Sequence, residues 1–498
     1  MIPHAPILAV FLPLLAAFVL PLVSLLERQY KIPLAKEWVS AIFVIAEVLV
    51  VFSVFPDAKS SVVAYQLGGW APPLGIVLAI DALSALAALI IVTVGALVFI
   101  YSFIYMRRES GVEHYYALLF LLLGGCVGVV FTGDIFNFYV FFEIMSIASY
   151  ALVAFRRHLW GIEAAIKYLI VGSLGTSFIL LGIVFLYGRF GTLTMANIME
   201  LMGQVAARDL VIPLTCFLVG IGIKVAMVPF HFWLPDAYQG APSPVSAFFS
   251  GATATVGVYA IARIVYVLFG AASVGSLLVV LGLITMVVGA LMALVQRDLK
   301  RLLAYSGISQ MGYVLVGLGL GTALGIQGAL FHIFNNAVYK TLLFMLVGAV
   351  IWRVGTSRMD ELGGLWKNMP ITAFMFLLGS LAIAGIPPLN GFASKWMIYL
   401  AGIEYGGWGY VVTAIALIVS ALTLAYFLKA LSSVFLGQRP SHLANVKEPP
   451  AAMLLPAMVL AVLCVVFGVL PQLGVDLVEP AQIAISDLNG YIVGVMGG

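Results

Sequence analysis

Lysines within apolar stretches are the residues of this sequence whose chemistry is easiest to define. Lys224 lies in residues 218–228, which are otherwise apolar, and Pro229 follows directly. A lysine at the depth of a bilayer costs about 2.5–3.5 kcal/mol, so it is a functional candidate by default. Because proline interrupts a helix, the chain breaks its helix here. A buried cation beside a broken helix predicts a site that handles ions within a membrane.

Other ionisable residues form a series with Lys224. Glu143 and Glu47 also lie in apolar runs, and His332 precedes Lys340 by two helical turns, so both can face one side of a helix. Each group alone could be a polar clamp between helices. A series of four or five such residues instead predicts groups that pair with one another or line a water-filled space. The cations that we place within spans are Lys167, Lys224, Arg263, Lys340, Lys395 and Lys429.

A second helix break accompanies Lys395. The segment Gly385-Ile-Pro-Pro-Leu-Asn-Gly precedes this lysine, whereas Lys224 precedes its own break. Exposed backbone at membrane depth is tolerated only around protein-lined or watery cavities. Two interrupted helices, five spans apart, indicate paired repeats with a site in each half.

Proton transfer is the chemistry that these groups could support. A lysine in water has a pKa of about 10.4 and is too basic to release a proton readily. Desolvation and a nearby carboxylate shift that value in opposite directions. We hypothesise that a movable Glu143 switches Lys224 between holding and releasing a proton.

Only membrane helices can position these residues. Of the 498 residues, 63% are hydrophobic and 9% are charged, which predicts an all-α polytopic membrane protein. The net charge of +3, without a basic block, argues against a nucleic-acid partner. We predict 14 spans, with a short tail or surface helix after them. They lie near 5–26, 38–55, 75–103, 115–132, 135–155, 163–187, 210–238 (broken), 243–268, 273–295, 300–320, 323–351, 371–402 (broken), 409–436 and 452–472.

The positive residues predict the orientation. Connections after odd-numbered spans carry 15 lysines and arginines, and those after even-numbered spans carry three. The positive-inside rule therefore predicts a multi-pass protein of the cell membrane with both termini outside the cytoplasm.

Redox chemistry within this chain is not expected. Cys126, Cys216 and Cys464 each lie alone in an apolar segment, without a CxxC motif or Cys/His cluster. We therefore predict no metal site and no cofactor. A redox enzyme in its own right would also need a nucleotide-binding loop or a haem ligand pair, and the sequence has neither motif.

The segment that begins with Lys224-Val-Ala-Met-Val-Pro-Phe-His-Phe-Trp-Leu-Pro-Asp and continues to Ser246 resembles a family signature. It is similar to the proton-translocating antiporter-like subunits of respiratory complex I, Mrp-type Na⁺/H⁺ antiporters and membrane-bound hydrogenases. The other matching segments follow in family order across roughly residues 75–405. They are residues 80–84, 142–146, 163–168, 298–312, 331–344 and 385–395.

The resemblance implies a 14-helix fold with two inverted five-helix repeats. Residues 1–110 would hold helices 1–3, residues 111–268 the first repeat with helices 4–8, and residues 269–437 the second repeat with helices 9–13. Residues 438–498 would hold helix 14 and the C-terminal tail.

The resemblance also implies roles for five residues on a proton path. Glu143 would be the partner carboxylate of the first half-channel, and Lys224 its central lysine. His332 and Lys340 would link the halves. Lys395 would be the terminal proton carrier of the second half-channel.

Accessory residues are less clearly defined by the resemblance. His231 and Asp236 flank the first break, where a capping role for Asp236 is an equal alternative, and Lys167 lies in the preceding span. Many members carry lysine or histidine in span 8, where this chain offers the hydroxyls of Ser250, Thr253 and Thr255. Hydroxyls order water but do not store a proton near neutral pH, so bridging waters would have to carry the proton onward. Asn336 stands where a histidine often follows His332.

We expect an ion-translocating subunit coupled to Na⁺/H⁺ exchange or to a redox module. Its partners would be other membrane subunits, lipid, H⁺ and, in the first case, Na⁺. The segment around Lys395 looks most like the D-type Mrp subunit and its counterpart in membrane-bound hydrogenase-type complexes. The alternative is a non-translocating scaffold subunit of the same complex, which the missing span 8 base favours and the intact Glu143, Lys224 and Lys395 oppose.

Overall fold

Helices make up nearly the whole fold, as the apolar composition requires. The computed structural model describes residues 2–30, 34–270 and 274–497. In that part of the chain, twelve helices are long and apolar enough to cross a membrane. A bilayer offers no water to backbone N–H and C=O groups, so apolar runs of this length satisfy them within a helix.

The α-helices follow one another along the chain with short connections. They are α1 (Ala5–Tyr30), α2 (Ala35–Ser60), α3 (Ala82–Tyr105), α4 (Val112–Phe131), α5 (Ile135–Val153), α6 (Leu159–Phe190), α7 (Met195–Met202), α8 (Ala207–Lys224), α9 (Trp233–Gly240), α10 (Ser243–Phe248), α11 (Ala254–Ile261), α12 (Gly275–Val295), α13 (Leu299–Leu320), α14 (Ala323–Val354), α15 (Pro370–Ala384), α16 (Asn390–Tyr405), α17 (Gly409–Leu431), α18 (Ala451–Val469), α19 (Pro471–Ser486) and α20 (Leu488–Met496). Three π-helical stretches interrupt or extend these helices. They are Phe249–Thr253, which joins α10 to α11, Ala262–Leu268, which extends α11, and Ser432–Leu436, which extends α17.

Both predicted helix breaks are present. Helix α8 ends at Lys224 and α9 begins at Trp233, while α15 ends at Ala384 and α16 begins at Asn390. With these two broken pairs, the twelve continuous spans make up the 14 predicted ones. The prediction of an all-α polytopic fold with two discontinuous helices is confirmed.

The predicted start of the third span is wrong by several residues. A two-stranded antiparallel hairpin, β1 (Val63–Gln66) and β2 (Val77–Ile80), precedes the helix. Helix α3 begins only after Asp81, whose side chain accepts a hydrogen bond from Ser84 N at 2.9 Å. This cap satisfies a free N–H of the first turn and sets the helix start.

Corresponding helices of the two halves share local features. Helices α5 and α13 each begin after an aspartate, Asp134 or Asp298, that caps the N–H three residues on. Each aspartate also forms an isolated β-bridge with a residue that follows the next long helix, Thr194 and Arg358 respectively. Helices α6 and α14 are both 32 residues long. Because five spans separate the members of each pair, they cross the membrane in opposite directions. The boundaries of the four parts of the chain remain a prediction.

Three spans around the central candidate residues are among the most deeply buried of the described chain. They are residues 243–268, α13 and α14, whereas α1, α2, α12 and α18 present much of their surface to the outside of the bundle. The candidate site is therefore held within the bundle by the helices that pack on both sides of it.

Candidate functional site

Lys224 is the last residue of α8, beside the first break. Its ammonium donates to Ser146 Oγ at 2.7 Å and to Tyr150 OH at 3.4 Å, both on α5. The break itself is held by another residue, because the Trp233 indole donates to Ile223 O at 3.0 Å. The lysine thus bonds to hydroxyl groups, and the free Ile223 carbonyl at the helix end accepts its hydrogen bond from the indole.

Glu143 lies on α5, one turn before Ser146, and is half-buried. The predicted pair with Lys224 is not formed in this conformation: among the described residues, no hydrogen bond or ion pair reaches the Glu143 carboxylate. Residues three apart share a helix face, so the carboxylate lies on the side of α5 that meets the lysine. Pairing through a movement of either side chain remains a prediction.

A narrow internal cavity of about 30 Å³ lies between Lys224 and Lys340. Both lysines line it, together with Ser250, Thr253 and Asn336. Within the described part of the chain, Thr253 Oγ1 and Asn336 Oδ1 are buried there without a hydrogen-bond partner. A cavity needs only about 10–15 Å³ on this measure to hold a water, and the water needs polar partners. The cavity meets both conditions.

The cavity wall explains how a span without lysine or histidine contributes to the site. Ser250 and Thr253 lie in the π-helical stretch Phe249–Thr253. Such stretches occur as single turns within helices, often at functional sites. Thr255 lies outside the cavity lining, and its hydroxyl donates to Gly251 O at 2.7 Å. Of the three hydroxyl residues that span 8 offers, Ser250 and Thr253 are brought to the cavity and Thr255 is not.

His332, Asn336 and Lys340 follow one another at four-residue intervals on α14, and all three are buried. Lys340 Nζ donates to Leu303 O at 2.5 Å. Residues at this spacing lie on one face of a helix, so Asn336 stands between the two titratable side chains.

His332 connects this face to the helix that carries Lys395. Its Nδ1 lies 3.0 Å from Ser394 Oγ, and its Nε2 lies 3.1 Å from Gln310 Oε1. Since Ser394 precedes Lys395 directly, the histidine bonds to the second broken span. These contacts lie within the second half, and the role of His332 as a link between the halves remains a prediction.

Lys395 lies on α16 and is 1% exposed. Its ammonium donates to Ile383 O at 2.9 Å and to Ser420 Oγ at 3.0 Å. It also lies 4.7 Å from the centre of the Tyr313 ring, a cation–π distance. Here the lysine itself satisfies a carbonyl that the second break leaves free.

Asp236 does not cap a helix. It lies within α9 and accepts hydrogen bonds from Lys167 at 3.1 Å and from Arg301 at 2.6 Å. Lys167 has a side chain that is 46% exposed, so its predicted burial is wrong, and it also pairs with Glu163 at 2.8 Å. Lys167 lies on a side of α6 where its neighbours Ile166 and Ile170 are also exposed, so no helix of the described chain covers it. His231 lies in the turn Phe230–Phe232, and its Nδ1 is buried without a partner.

Lys300 is a site residue that the sequence pattern did not reveal, because we placed it in a connection. It lies in the first turn of α13 and is buried. Its ammonium donates to the carbonyls of Gln239 and Ala241, at the C-terminal end of α9. The helix-capping Asp298 two residues earlier was the signal that places Lys300 inside the helix.

Lys429 is a clamp between helices. It donates to Leu294 O at 2.8 Å and to Gln296 O at 2.9 Å, the free carbonyls at the end of α12. Cations at a helix C-terminus are stabilised by just this arrangement. Glu47 is buried on α2, and neither of its carboxylate oxygens has a hydrogen-bond partner in the residues that the structure describes.

Known proteins resemble this chain over nearly its full length. The family described as "NADH:quinone oxidoreductase/Mrp antiporter, TM" matches residues 132–423, and "NADH-Ubiquinone oxidoreductase (complex I), chain 5 N-terminus" matches residues 71–116. NADH-quinone oxidoreductase subunit N of Desulforudis audaxviator is 37% identical over 94% of this chain and 96% of the relative. The D-type subunit of the Na⁺/H⁺ antiporter of Alkalihalophilus pseudofirmus is 33% identical over 82% of this chain and 83% of the relative. A chain of the archaeal membrane-bound sulfane sulfur reductase superposes with a TM-score of 0.90 at 33% identity, covering 98% of this chain and 99% of its own.

Proposed function

This chain belongs to the family of antiporter-like membrane subunits that NADH:quinone oxidoreductases and Mrp antiporters share, and we propose that it relays protons through its buried polar residues. The route starts at Glu143 and Lys224, crosses the central cavity to Lys340, and continues through His332 to Lys395. Each of these residues lies inside the bundle or at its broken helices, where a charge serves transport more than stability.

The central cavity is the observation that supports this proposal most. Lys224 and Lys340 line one space, and two unpaired polar atoms, Thr253 Oγ1 and Asn336 Oδ1, lie at the gap that the missing span 8 base leaves. A structural clamp would satisfy its polar atoms, because an unpaired buried polar group costs about 1–3 kcal/mol. Water held by these two atoms would bridge the lysines and let a proton pass.

The charge distribution supports an orientation with both termini outside the cytoplasm of a cell membrane. In that orientation Asp236, Lys167 and Arg301 lie toward the cytoplasm, since α9 ends there. Their partly exposed ion pairs lie beyond the first break, and we expect water to approach Lys224 from that side.

The chain works as one subunit of a larger membrane complex. Its relatives are named as subunits of a quinone oxidoreductase and of a Na⁺/H⁺ antiporter, and the sulfane sulfur reductase is described as a respiratory membrane complex. The other membrane subunits of such a complex would supply the driving force, by Na⁺/H⁺ exchange or by a redox reaction. Proton passage through this chain would occur with either driving reaction.

The test is proton flux in vesicles that contain the intact complex. We expect Lys395→Ala to reduce flux strongly at normal assembly, whereas Lys367→Ala, an exposed lysine far from the route, leaves it unchanged. Equal flux in both variants would favour the scaffold alternative and overturn the proposal.

A further inference from the structure

A second cavity, of about 370 Å³, opens at the face of the bundle where α19 and α20 cover the start of α3. Asp81, Ala484, Asp487 and Tyr491 are among its lining residues. This volume can hold many water molecules, since about 10–15 Å³ on the same measure holds one. Neither the central route nor the family resemblance gives this cavity a role.

A buried ion pair closes the inner end of this cavity. Arg263 Nη2 donates to Asp81 Oδ1 at 2.6 Å, and the two side chains are almost fully enclosed. The same nitrogen donates to Ser84 Oγ at 3.1 Å, and Arg263 Nε donates to Tyr259 OH at 3.0 Å. The guanidinium lies 4.7 Å from the centre of the Tyr491 ring.

Three polar atoms of this cluster have no hydrogen-bond partner among the described residues. They are Asp81 Oδ2, Arg263 Nη1 and Tyr491 OH, all buried. Asp81 and Tyr491 line the cavity directly, and their free atoms lie just behind its surface, where a small shift of the lining would open them to water. Buried ion pairs contribute little net stability, and a purely structural clamp would not leave three neighbouring groups unsatisfied. The cluster is therefore suited to hold ordered water.

A polar stripe leads from this cluster toward the central cavity. Thr255, Tyr259 and Arg263 follow at four-residue intervals, so they share one helix face. Ser84 Oγ lies 3.2 Å from Tyr259 OH and adds a hydroxyl beside the stripe. One turn before Thr255, Ser250 lines the central cavity. The stripe thus spans the distance between the two cavities along a single helix.

We propose that the cavity beneath α19 and α20 is the water-filled mouth through which protons pass between that face of the membrane and Lys224. The Arg263–Asp81 pair lies at its inner end, where its charges cancel. Lys59 and Asp487 on the lining also cancel, so the mouth has no net charge that would hold a metal cation. This inference rests on the proposed proton relay and adds its access route at one face.

A thiol reagent tests the mouth in the intact complex. Ala484→Cys places a reactive group on the cavity lining, and Ser486→Cys places one on the exposed surface of the same helix, outside the lining. The native Cys126, Cys216 and Cys464 are buried. Each variant is treated with a membrane-impermeant methanethiosulfonate in sealed vesicles, modification is measured by mass spectrometry, and proton flux is measured before and after. Ser61→Cys, elsewhere on the lining, repeats the test if Ala484→Cys does not assemble.

We expect modified Ala484→Cys to lose at least about fivefold in flux and modified Ser486→Cys to lose less than about twofold, because an adduct in a narrow water path blocks it. The reagent should reach both cysteines from the same side of the membrane. Two outcomes would contradict the proposed mouth without contradicting the proton relay. One is complete modification of Ala484→Cys without loss of flux. The other is that Ala484→Cys does not react with reagent added on the side from which Ser486→Cys reacts. Absence of flux in the unmodified complex would instead overturn the relay and the mouth together.

Discussion

The two broken spans use their lysines differently. In the first half, Lys224 donates to hydroxyls on α5, and the Trp233 indole occupies the free carbonyl of Ile223. In the second half, Lys395 itself donates to the free carbonyl of Ile383. The first break would keep its shape without its lysine, and the second would not.

This difference separates a movable lysine from a fixed one. Lys224 can leave its hydroxyl partners for the unpaired Glu143 without exposing backbone groups. Lys395 cannot move without leaving a buried carbonyl unsatisfied, which costs about 1–3 kcal/mol. We infer that the first half contains the switch and the second half a stationary relay.

Replacing Lys395 should have the largest effect. We expect Lys395→Ala to lower proton flux by more than about a hundredfold, a typical contribution of a positioned acid–base group, and also to lower the melting temperature of the complex. The second effect follows because Ile383 O loses its donor. Flux measured with a pH-sensitive dye and thermal unfolding of the purified complex check both. Loss of flux at an unchanged melting temperature would remove the proposed structural role.

Replacing Lys224 should affect flux alone. We expect Lys224→Ala to lower flux by at least about tenfold while the melting temperature stays close to that of the parent complex. Trp233→Phe is the complementary variant at the same break. It removes the indole donor to Ile223 O and should therefore lower the melting temperature. If Lys224→Ala destabilised the complex as much as Lys395→Ala does, the contrast between the halves would be wrong.

Removing the water partners of the central cavity should give a smaller loss. We expect the double variant Thr253→Val, Asn336→Leu to lower flux about five- to tenfold, because a water without polar partners no longer bridges the two lysines. Thr176→Val is the control, since that buried hydroxyl of α6 donates to its own helix and lies outside the cavity. Equal effects of the control and the double variant would argue against a water bridge at this place.

Neutralising the proposed switch should reduce flux by a still smaller factor. We expect Glu143→Gln to lower flux about fivefold, because the amide keeps the shape of the side chain but cannot alternate its charge beside Lys224. Glu200→Gln, at the exposed surface of α7, is the control. Flux equal to that of the parent complex would leave Lys224 without its predicted partner.

Releasing α9 should have the smallest effect on flux. Lys300→Met removes the donor to Gln239 O and Ala241 O and should lower stability by about 1 kcal/mol, with flux reduced about twofold. Lys367→Met at the surface is the control, and thermal unfolding is the measurement. A stability loss in the control of the same size would show that the contact across the halves is unimportant.

Much of the site could be predicted because the cost of burying charge is a local property. An apolar run identifies Lys224, Lys340 and Lys395 as unusual without any knowledge of their neighbours. Proline and glycine likewise locate both breaks. Lys300 was counted with a connection because it lies at a helix end, where a shift of a few residues decides between surface and interior. Lys167 lies within its predicted span, but its side chain is exposed because the packing of other helices on α6 leaves that side open.

The sequence by itself determined the helical membrane fold, the two interruptions and the lysines beside them, since hydropathy and backbone chemistry act over a few neighbouring residues. Only the tertiary structure decided which group each lysine bonds to, because those partners come from helices far apart in the chain. It also decided that Thr253 and Asn336 meet at one cavity and that Arg263 pairs with Asp81. These contacts depend on packing between spans, which no local pattern specifies.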